Sequence, residues 1–217
     1  MIKVTNIETS NWQAAIRGMR NPMNSWDKSD TVWGEKREDG LWQYSVPEIG
    51  NDDLDLAQRL VRAGSDHRKF MRQIFVSMDI TAPLYWWKEF DTYKVGTVAN
   101  SCSTMHKIHA KEFTLDDFSH EHLLPDEAIE FMKHLVDGLN FYRLKYLETK
   151  DKRYWWQMIQ LLPSSYNQLR TVTMNYENLL NMYHARKNHK LDEWREFCKV
   201  IETLPYAKEL ICDVYTR

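Results

Sequence analysis

The chain has 217 residues, of which 43% are hydrophobic, and a formal net charge of −2. This length suits one large or two small domains, and the apolar content is sufficient for a real core. Because the charges nearly balance, the composition gives no general attraction to nucleic-acid polymers or anionic membranes, and we expect neither as a partner.

The N-terminus and the cysteines indicate a cellular location. The opening segment "MIKVTNIETSNWQ" lacks an apolar signal core, and no stretch approaches membrane-spanning length. The three cysteines form no C-x-x-C pair, and their number is odd. This pattern is typical of a reduced protein rather than a disulfide scaffold, so we expect a cytoplasmic protein.

Large aromatic side chains are unusually frequent. The chain contains nine Trp and eleven Tyr but only seven Gly. Such a composition indicates an aromatic-rich core, ring-stacking pockets or a subunit interface, and the composition alone does not choose among them.

The first quarter of the chain predicts a strand, a loop and a helix. Alternation in residues 1–7 favours a first strand, and the polar, Pro-punctuated stretch 17–30 is typical of a loop. Residues 41–50 favour a short strand. A helix follows over 51–67, capped by Asp52 or Asp53. Its expected apolar stripe consists of Leu54, Ala57, Leu60 and Val61.

The clearest strand pattern covers residues 72–83. Its alternation predicts one apolar face, made of Ile74, Val76, Met78 and Ile80. Pro83 ends this strand and opens a predicted helix over 84–94. The small and polar residues of 95–105 are typical of a loop.

From Pro125 onward the pattern is helical. Apolar residues recur at helical spacing over 126–148, a shorter helix ends before Pro163, and two more are expected over 165–187 and 191–204. We see no repeat and no linker. The predicted fold is therefore a single α+β domain over 1–217, with an N-terminal antiparallel or mixed sheet and a helical C-terminal half.

Several site classes find no support in the motifs. No Walker A, G-x-G-x-x-G or G-x-S-x-G motif is present. The histidine pairs lack cysteine or carboxylate partners at a zinc-like spacing, so we predict no metal site. These pairs are His106 with His109, His120 with His122, and His184 with His189.

The helix near residue 180 carries polar side chains that need an explanation. Asn175, Asn181 and Arg186 form a polar flank beside apolar neighbours. Side chains of this kind are costly to bury unless other groups pair with them. The pattern therefore favours either solvent or a ligand beside this helix.

The order of these pieces resembles the flavin-dependent thymidylate synthase family of the ThyX type. That family carries Leu-Pro followed by a helix motif N-x-R-x-x-x-N-x-x-x-L-R. Here Leu162-Pro163 precedes Asn175-x-Glu177-x-x-x-Asn181-x-x-x-Ala185-Arg186, so both asparagines and the final arginine match. Upstream, His67 precedes a strand that ends in Ala82-Pro83, as in the family. The resemblance covers roughly 53–200.

The resemblance implies a flavoenzyme that modifies a pyrimidine nucleotide at C5, with methylation of dUMP to dTMP as the reference reaction. It implies FAD as cofactor, with FMN as an alternative, NADPH and methylenetetrahydrofolate as co-substrates, and a homotetramer with sites at subunit interfaces. Arg186 would act in catalysis by polarising the uracil. The implied flavin-binding residues are His67, Tyr93, Lys94, Asn175 and Asn181, and the implied substrate-binding residues are Lys88, Glu89, Asn100, Cys102 and Arg186.

Several family positions carry other residues in this chain. The R-H-R position reads Thr92-Tyr93-Lys94, the middle arginine of the helix motif is Glu177, and a substrate arginine falls at Ile159. The dUMP-binding Glu, Ser and Arg of the family fall at Asn100, Cys102 and Thr104. Each lost charge-assisted bond would be worth roughly 1.5–3 kcal/mol. A phosphate would then need other cations, which could be Lys88, Lys94, Lys107 or Arg20.

These changes leave three alternatives to the reference reaction. One is a related flavoenzyme with another substrate or product, such as a hydroxymethylated base. Another is a non-catalytic homologue that binds a nucleotide as a sensor. The third is a helical interaction protein in which the motif is coincidental.

Overall fold

The computed structural model describes residues 2–34 and 46–215. Its four strands form one antiparallel sheet in the order β1-β2-β4-β3. The strands are β1 (Lys3–Ser10), β2 (Phe75–Pro83), β3 (Val98–Ser101) and β4 (Asn167–Asn175). The helices are α1 (Trp12–Arg20), α2 (Asn51–Arg62), α3 (Leu84–Phe90), α4 (Glu127–Thr149), α5 (Lys152–Leu161), α6 (Tyr176–Arg186) and α7 (Asp192–Glu202). The α+β prediction is confirmed.

Strand β2 follows the predicted alternation. Ile74, Val76, Met78 and Ile80 are all buried, with at most 1% of each exposed. On the opposite face, Ser77 exchanges a hydrogen bond of 2.8 Å with Thr173 of β4. The apolar face therefore belongs to the core, while the other face carries hydroxyl groups.

The predicted helix over 165–187 is wrong at its beginning. Residues Asn167–Asn175 form β4, and the helix α6 begins only at Tyr176. The physical reason lies in the alternation of "NQLRTVTMN", where Gln168, Val172 and Met174 are buried and Leu169 and Thr171 are exposed. β-branched Thr and Val fit such a pleated surface better than a helix.

Two predicted loops contain regular structure. The loop predicted over 17–30 begins inside α1, whose buried residues Trp12, Ala15, Ile16 and Met19 recur at helical spacing, and it continues through two 3₁₀ turns. The loop predicted over 95–105 contains the edge strand β3, which is exposed throughout. Residues 41–45 of the predicted short strand lie outside the described residues, and Glu48 forms an antiparallel bridge with Val32.

The predicted cap of α2 is also wrong. Gly50 occupies the N-cap position without a side-chain bond. The carboxylate of Asp30 accepts hydrogen bonds from the backbone N–H groups of Asp52 and Asp53, at 2.9 and 3.0 Å. Asp53 is fully buried, and with Leu56, Ala57 and Val61 it forms the buried face, whereas Leu54 and Leu60 of the predicted stripe are half-buried.

The chain forms two compact units, and the first contains Ile80–Thr92 and Asn100–Thr171 together with the first three residues. Its helices α4 and α5 pack around a core of apolar side chains. These are Ile108, Phe113, Phe118, Met132, Val136, Leu139 and Met158. A group of aromatic side chains lies in α3, where Trp86, Trp87 and Phe90 contact one another with ring centroids 4.9–5.1 Å apart.

The second unit contains Val4–Asp79, Tyr93–Ala99 and Val172–Arg217. Trp12 of α1 packs edge-on against Tyr176 of α6, with ring centroids 5.1 Å apart. The Tyr176 hydroxyl donates a hydrogen bond of 2.6 Å to the backbone of Pro205.

Within the described parts of the chain, no helix is long and apolar enough to cross a membrane. The prediction of a single domain stays a prediction.

Candidate functional site

Arg186, the predicted catalytic residue, ends α6 in the second unit and lies beside two aromatic rings. Its Nε donates a hydrogen bond of 3.0 Å to the hydroxyl of Tyr93. Its guanidinium carbon lies 5.7 Å from the ring centre of Tyr93 and 4.9 Å from that of Trp194. Trp194 is fully buried in the first turn of α7, so it supplies a rigid wall. Arg186 and Tyr93, which were both predicted from the sequence as site residues, are therefore in direct contact.

Asn175 has a clear structural role at the beginning of α6. Its Oδ1 accepts a hydrogen bond of 3.0 Å from the backbone N–H of Asn178, and the Asn178 side chain accepts one of 3.2 Å from the Asn175 N–H. This reciprocal capping box satisfies backbone donors that the helix leaves unpaired. The polar character of Asn175, which is 7% exposed, is therefore explained in part without a ligand.

The loop after Tyr93 is tied to this cap. Asn178 Nδ2 donates a hydrogen bond of 2.7 Å to the carbonyl of Val95. The next residue, Gly96, has φ +75°, and a Cβ at that position would lie 2.7 Å from Nδ2 of Asn175. Only glycine fits both this backbone conformation and this close approach. Tyr93 therefore belongs to a short segment that the Asn178 side chain holds at the N-terminus of α6.

Glu177, which replaces the family arginine, is the centre of a charged cluster in the second unit. Its carboxylate accepts a hydrogen bond of 2.9 Å from Nε of Arg68 and a short one from Arg72. Burial by itself would raise the pKa of Glu177, but the hydrogen bonds from Arg72 and Arg68 lower it overall. Arg68 also donates to the hydroxyl of Tyr215 at 2.9 Å. The three charged side chains together carry one net positive charge.

Three further predicted residues of this unit are exposed. His67 is the N-cap residue before the 3₁₀ helix Arg68–Gln73, Lys94 follows Tyr93, and Asn181 lies in the middle of α6. Asn181 is five residues before Arg186, which places it roughly 140° around the helix from that arginine. Their roles in ligand binding stay predictions.

The predicted residues of the first unit form a separate group. Lys88 is exposed and Glu89 is half-buried on α3, while Asn100 and Cys102 are exposed at the end of β3. Cys102 is a free thiol whose backbone N–H donates a hydrogen bond of 2.9 Å to Leu169. The backbone of Cys102 is therefore held against the central strand β4.

Two residues beside Cys102 were missed by sequence reasoning. Gln168 donates a hydrogen bond of 2.7 Å to the carbonyl of Cys102 and accepts one of 3.0 Å from Nε of Arg170. Arg170 lies 4.2 Å above the ring centre of Trp87 and pairs with Asp91 at 2.7 Å. The sequence analysis predicted a helix over these residues. In the observed strand β4, alternate residues lie on the same face, and this brings Gln168 and Arg170 together.

Other residues considered at the sequence level have different environments. Ile159 packs against the apolar core of the first unit. The position at which the ThyX family has a substrate arginine is therefore part of an apolar contact in this chain. Arg20 forms a buried ion pair of 2.6 Å with Asp53. Across the described ranges, no three His, Cys, Asp or Glu side chains form a group that could hold a metal ion.

The chain matches known proteins in its fold but not in its sequence. No protein-family model matches the chain, and no curated protein matches its sequence. A crystal structure of thymidylate synthase X (ThyX) from Helicobacter pylori with FAD and dUMP matches with a TM-score of 0.70 at 16% identity, covering 98% of this chain and 100% of that one. A second structure of the flavin-dependent enzyme from the same organism, also complexed with FAD and dUMP, gives 0.68 at 17% identity, covering 98% and 99%. The chain therefore has the fold of these ThyX structures over almost its whole length.

Proposed function

We propose that the protein is a flavin-dependent enzyme that modifies a pyrimidine nucleotide at C5, with methylation of dUMP to dTMP as the reference reaction. The observation that carries this proposal is the full-length match to ThyX structures holding FAD and dUMP. The contact between Arg186 and Tyr93 supports it further, since two motif positions 93 residues apart meet in space. NADPH and methylenetetrahydrofolate would be the co-substrates, in the cytoplasm.

The side chains present fit a flavin in their donor chemistry. His67, Lys94 and Asn181 are exposed, and each has N–H groups that can donate to phosphate or ring oxygens. Glu177 does not add uncompensated negative charge, because Arg68 and Arg72 neutralise it. The flavin would supply the redox chemistry, while the protein would supply binding and orientation.

For the nucleotide, the proposal assigns complementary roles to residues of the chain. Arg186 would place positive charge beside the uracil carbonyl, where negative charge develops. Tyr93 and Trp194 hold that guanidinium by hydrogen bonding and stacking, so it needs little reorganisation. Lys88, Glu89, Asn100 and Cys102 would border the substrate.

A second candidate is a related flavoenzyme with another nucleotide or product, such as a hydroxymethylated base. The environment of Ile159 favours it, because this position, where the ThyX family has a substrate arginine, packs against an apolar core. An arginine at that position would have contributed to binding an anionic substrate. Mass spectrometry of the nucleotide product would separate the two candidates.

The proposal predicts a defined response in the visible absorption spectrum. Adding FAD to the purified protein should give bound flavin that survives gel filtration, and adding dUMP should then shift the flavin bands. Arg153→Ala changes an exposed arginine that pairs with the nearby Asp151, so this control variant should behave as the unaltered protein. Flavin binding without a dUMP response would discard dUMP as substrate, and no flavin binding under any condition would overturn the proposal.

We also propose that the protein is a homotetramer, and an exposed apolar stripe on α4 supports this assembly. Phe141, Leu144 and Leu147 recur every third residue and are 54%, 59% and 36% exposed. Phe141 and Leu144 lie away from the buried stripe of Met132, Val136 and Leu139 on the same helix, whereas Leu147 borders that stripe. Such a surface on one element is typical of an interaction site.

Replacing Leu144 with aspartate should therefore dissociate the assembly. A carboxylate placed in an apolar interface must be desolvated, and this cost in free energy adds to the loss of the leucine contacts. Light scattering after gel filtration should give a molar mass four times 26.1 kDa for the unaltered protein and a smaller multiple for the variant. Glu130→Ala, on an exposed part of α4, is the control. A monomeric unaltered protein would contradict the proposed tetramer.

A further inference from the structure

A small cavity beside α1 is not used by the proposed function. Its volume is about 170 Å³. A cavity of roughly 150 Å³ is known to hold one benzene molecule, so this space suits a single aromatic ring. The residues that matter for its chemistry are Ile16, Arg17, Arg20, Trp26, Ser29 and Trp33.

The helix α1 brings two arginines to this cavity. Arg17 and Arg20 are three residues apart, so they project from the same side of the helix. Arg17 is exposed at the outer side, whereas Arg20 is only 4% exposed. Among the described residues, no carboxylate lines the cavity. Within the described wall, Arg17 therefore contributes positive charge, while the charge of Arg20 is balanced by its pair with Asp53.

Arg20 retains an unused hydrogen-bond donor. Its Nε donates to Asp53 at 2.6 Å, and its Nη1 donates to the carbonyl of Ser25 at 3.2 Å. Its Nη2 is buried and has no partner among the residues that the structure describes. A buried N–H group without a partner costs about 1–3 kcal/mol. An acceptor that approaches Arg20 would remove this cost.

Asp53 does not serve as that acceptor. Its Oδ1 is bonded to Arg20, and its Oδ2 accepts hydrogen bonds from the Ser29 and Thr31 hydroxyls at 2.7 and 2.6 Å. Burial alone would raise the pKa of Asp53, but the hydrogen bonds from Thr31, Ser29 and Arg20 lower it overall. The carboxylate therefore stays ionised and fixes the Arg20 side chain in the cavity wall.

Two indole rings complete the site. Trp26 is 49% exposed, and its Nε1 donates to Asn21 at 2.8 Å, which fixes the ring beside the cavity. Trp33 is half-buried and lines the same space. Indole faces bind planar rings by stacking, and arginine binds carboxylates through paired N–H groups.

We propose that this cavity binds a small aromatic carboxylate. Its ring would lie against Trp26 and Trp33, and its carboxylate would accept hydrogen bonds from Arg17, with one oxygen directed toward Arg20. A compact inorganic anion would leave both indole faces unused, and a neutral aromatic compound would bring no anionic acceptor to Arg17 or to Nη2 of Arg20. This site is independent of the nucleotide chemistry proposed above.

The test uses benzoate as probe with the full-length protein and ligand-observed NMR. We expect saturable binding of benzoate, with benzamide at least tenfold weaker because it has the same ring but no charge. Inorganic phosphate at the same concentration should not displace benzoate. Equal binding of benzamide, or displacement by phosphate, would overturn the proposal.

Substitutions locate the site. Arg17→Gln removes the exposed cation, does not touch the buried Arg20–Asp53 pair, and should weaken benzoate binding at least tenfold. Lys28→Gln is the matched control, because Lys28 lines a neighbouring cavity that also contacts Arg20 but not the one with the two tryptophans. Equal affinities of the Arg17→Gln variant and the unaltered protein, or equal losses in both variants, would contradict the assignment.

Discussion

Replacing Arg186 with alanine is expected to lower turnover of the pyrimidine nucleotide by roughly 10²–10³-fold, the usual effect of removing one donor that faces developing negative charge. The proposed role of Arg186 requires this loss, because no other cation among the described residues is held at that position by Tyr93 and Trp194. The measurement is nucleotide product formed under single-turnover conditions with reduced flavin.

The same substitution should leave the assembly folded. Arg186 is only partly buried, and its stacking on the two rings is worth about 0.5–1 kcal/mol at such a site. The melting temperature and the subunit number should therefore change little. Lys187→Ala is a close control, since the Lys187 ammonium lies 5.6 Å from the ring centre of Tyr183 instead. Normal turnover in the Arg186 variant would eliminate the catalytic role.

Tyr93→Phe separates the two contacts of the cation. The substitution removes the hydroxyl that accepts a hydrogen bond from Arg186 and retains the ring beside the guanidinium. A smaller loss of turnover than in Arg186→Ala would indicate that Tyr93 positions the arginine. An equal loss would indicate that the hydroxyl itself contacts the ligand.

Glu177→Gln is expected to lower the free energy of unfolding at pH 7 by about 3–5 kcal/mol, because it leaves the largely buried Arg68 without its counter-ion. The side chains of Arg68 and Glu177 are only 10% and 12% exposed. Urea denaturation followed by circular dichroism measures the difference. Asp55→Asn removes an exposed pair with Arg59, whose side chains are 63–64% exposed, and should change stability far less.

The pH dependence of this effect has a definite sign. The pKa of Glu177 is lowered in the folded protein from its ordinary value of 4.5. Its ionised form therefore stabilises the fold above that ordinary value, and the contribution is lost as the pH falls through the lower, folded pKa. The stability difference between the unaltered protein and Glu177→Gln should shrink on acidification below 4.5. A difference that is independent of pH would show that packing, and not charge, is responsible.

The elements that the sequence predicts best are those whose local patterns have a single interpretation. In β2, strict alternation continues to Pro83, and a helix would scatter Ile74, Val76 and Met78 around its circumference. In α4, apolar residues at helical spacing and a length of 23 residues exclude a strand. Both patterns depend only on residues close in the chain, so neither requires knowledge of the chain path.

β4 shows where local pattern fails. Residues 167–175 precede a genuine helix without a Gly or Pro between them, so the helical pattern of α6 extends upstream in a sequence reading. The change from strand to helix at Asn175 is fixed by the capping box with Asn178. An N-x-x-N pattern could have marked this boundary, since asparagine is a preferred N-cap residue.

By itself, the sequence determined the α+β class, the strand β2, the long helix α4 and the resemblance that places Arg186 in a motif, because each rests on residues close in the chain or on spacing along it. Only the tertiary structure decided the partners of the polar residues. Arg186 meets Tyr93 across 93 positions, and Glu177 meets Arg68 across 109. Such pairs depend on how the chain returns through the sheet, and local propensity contains no information about that path.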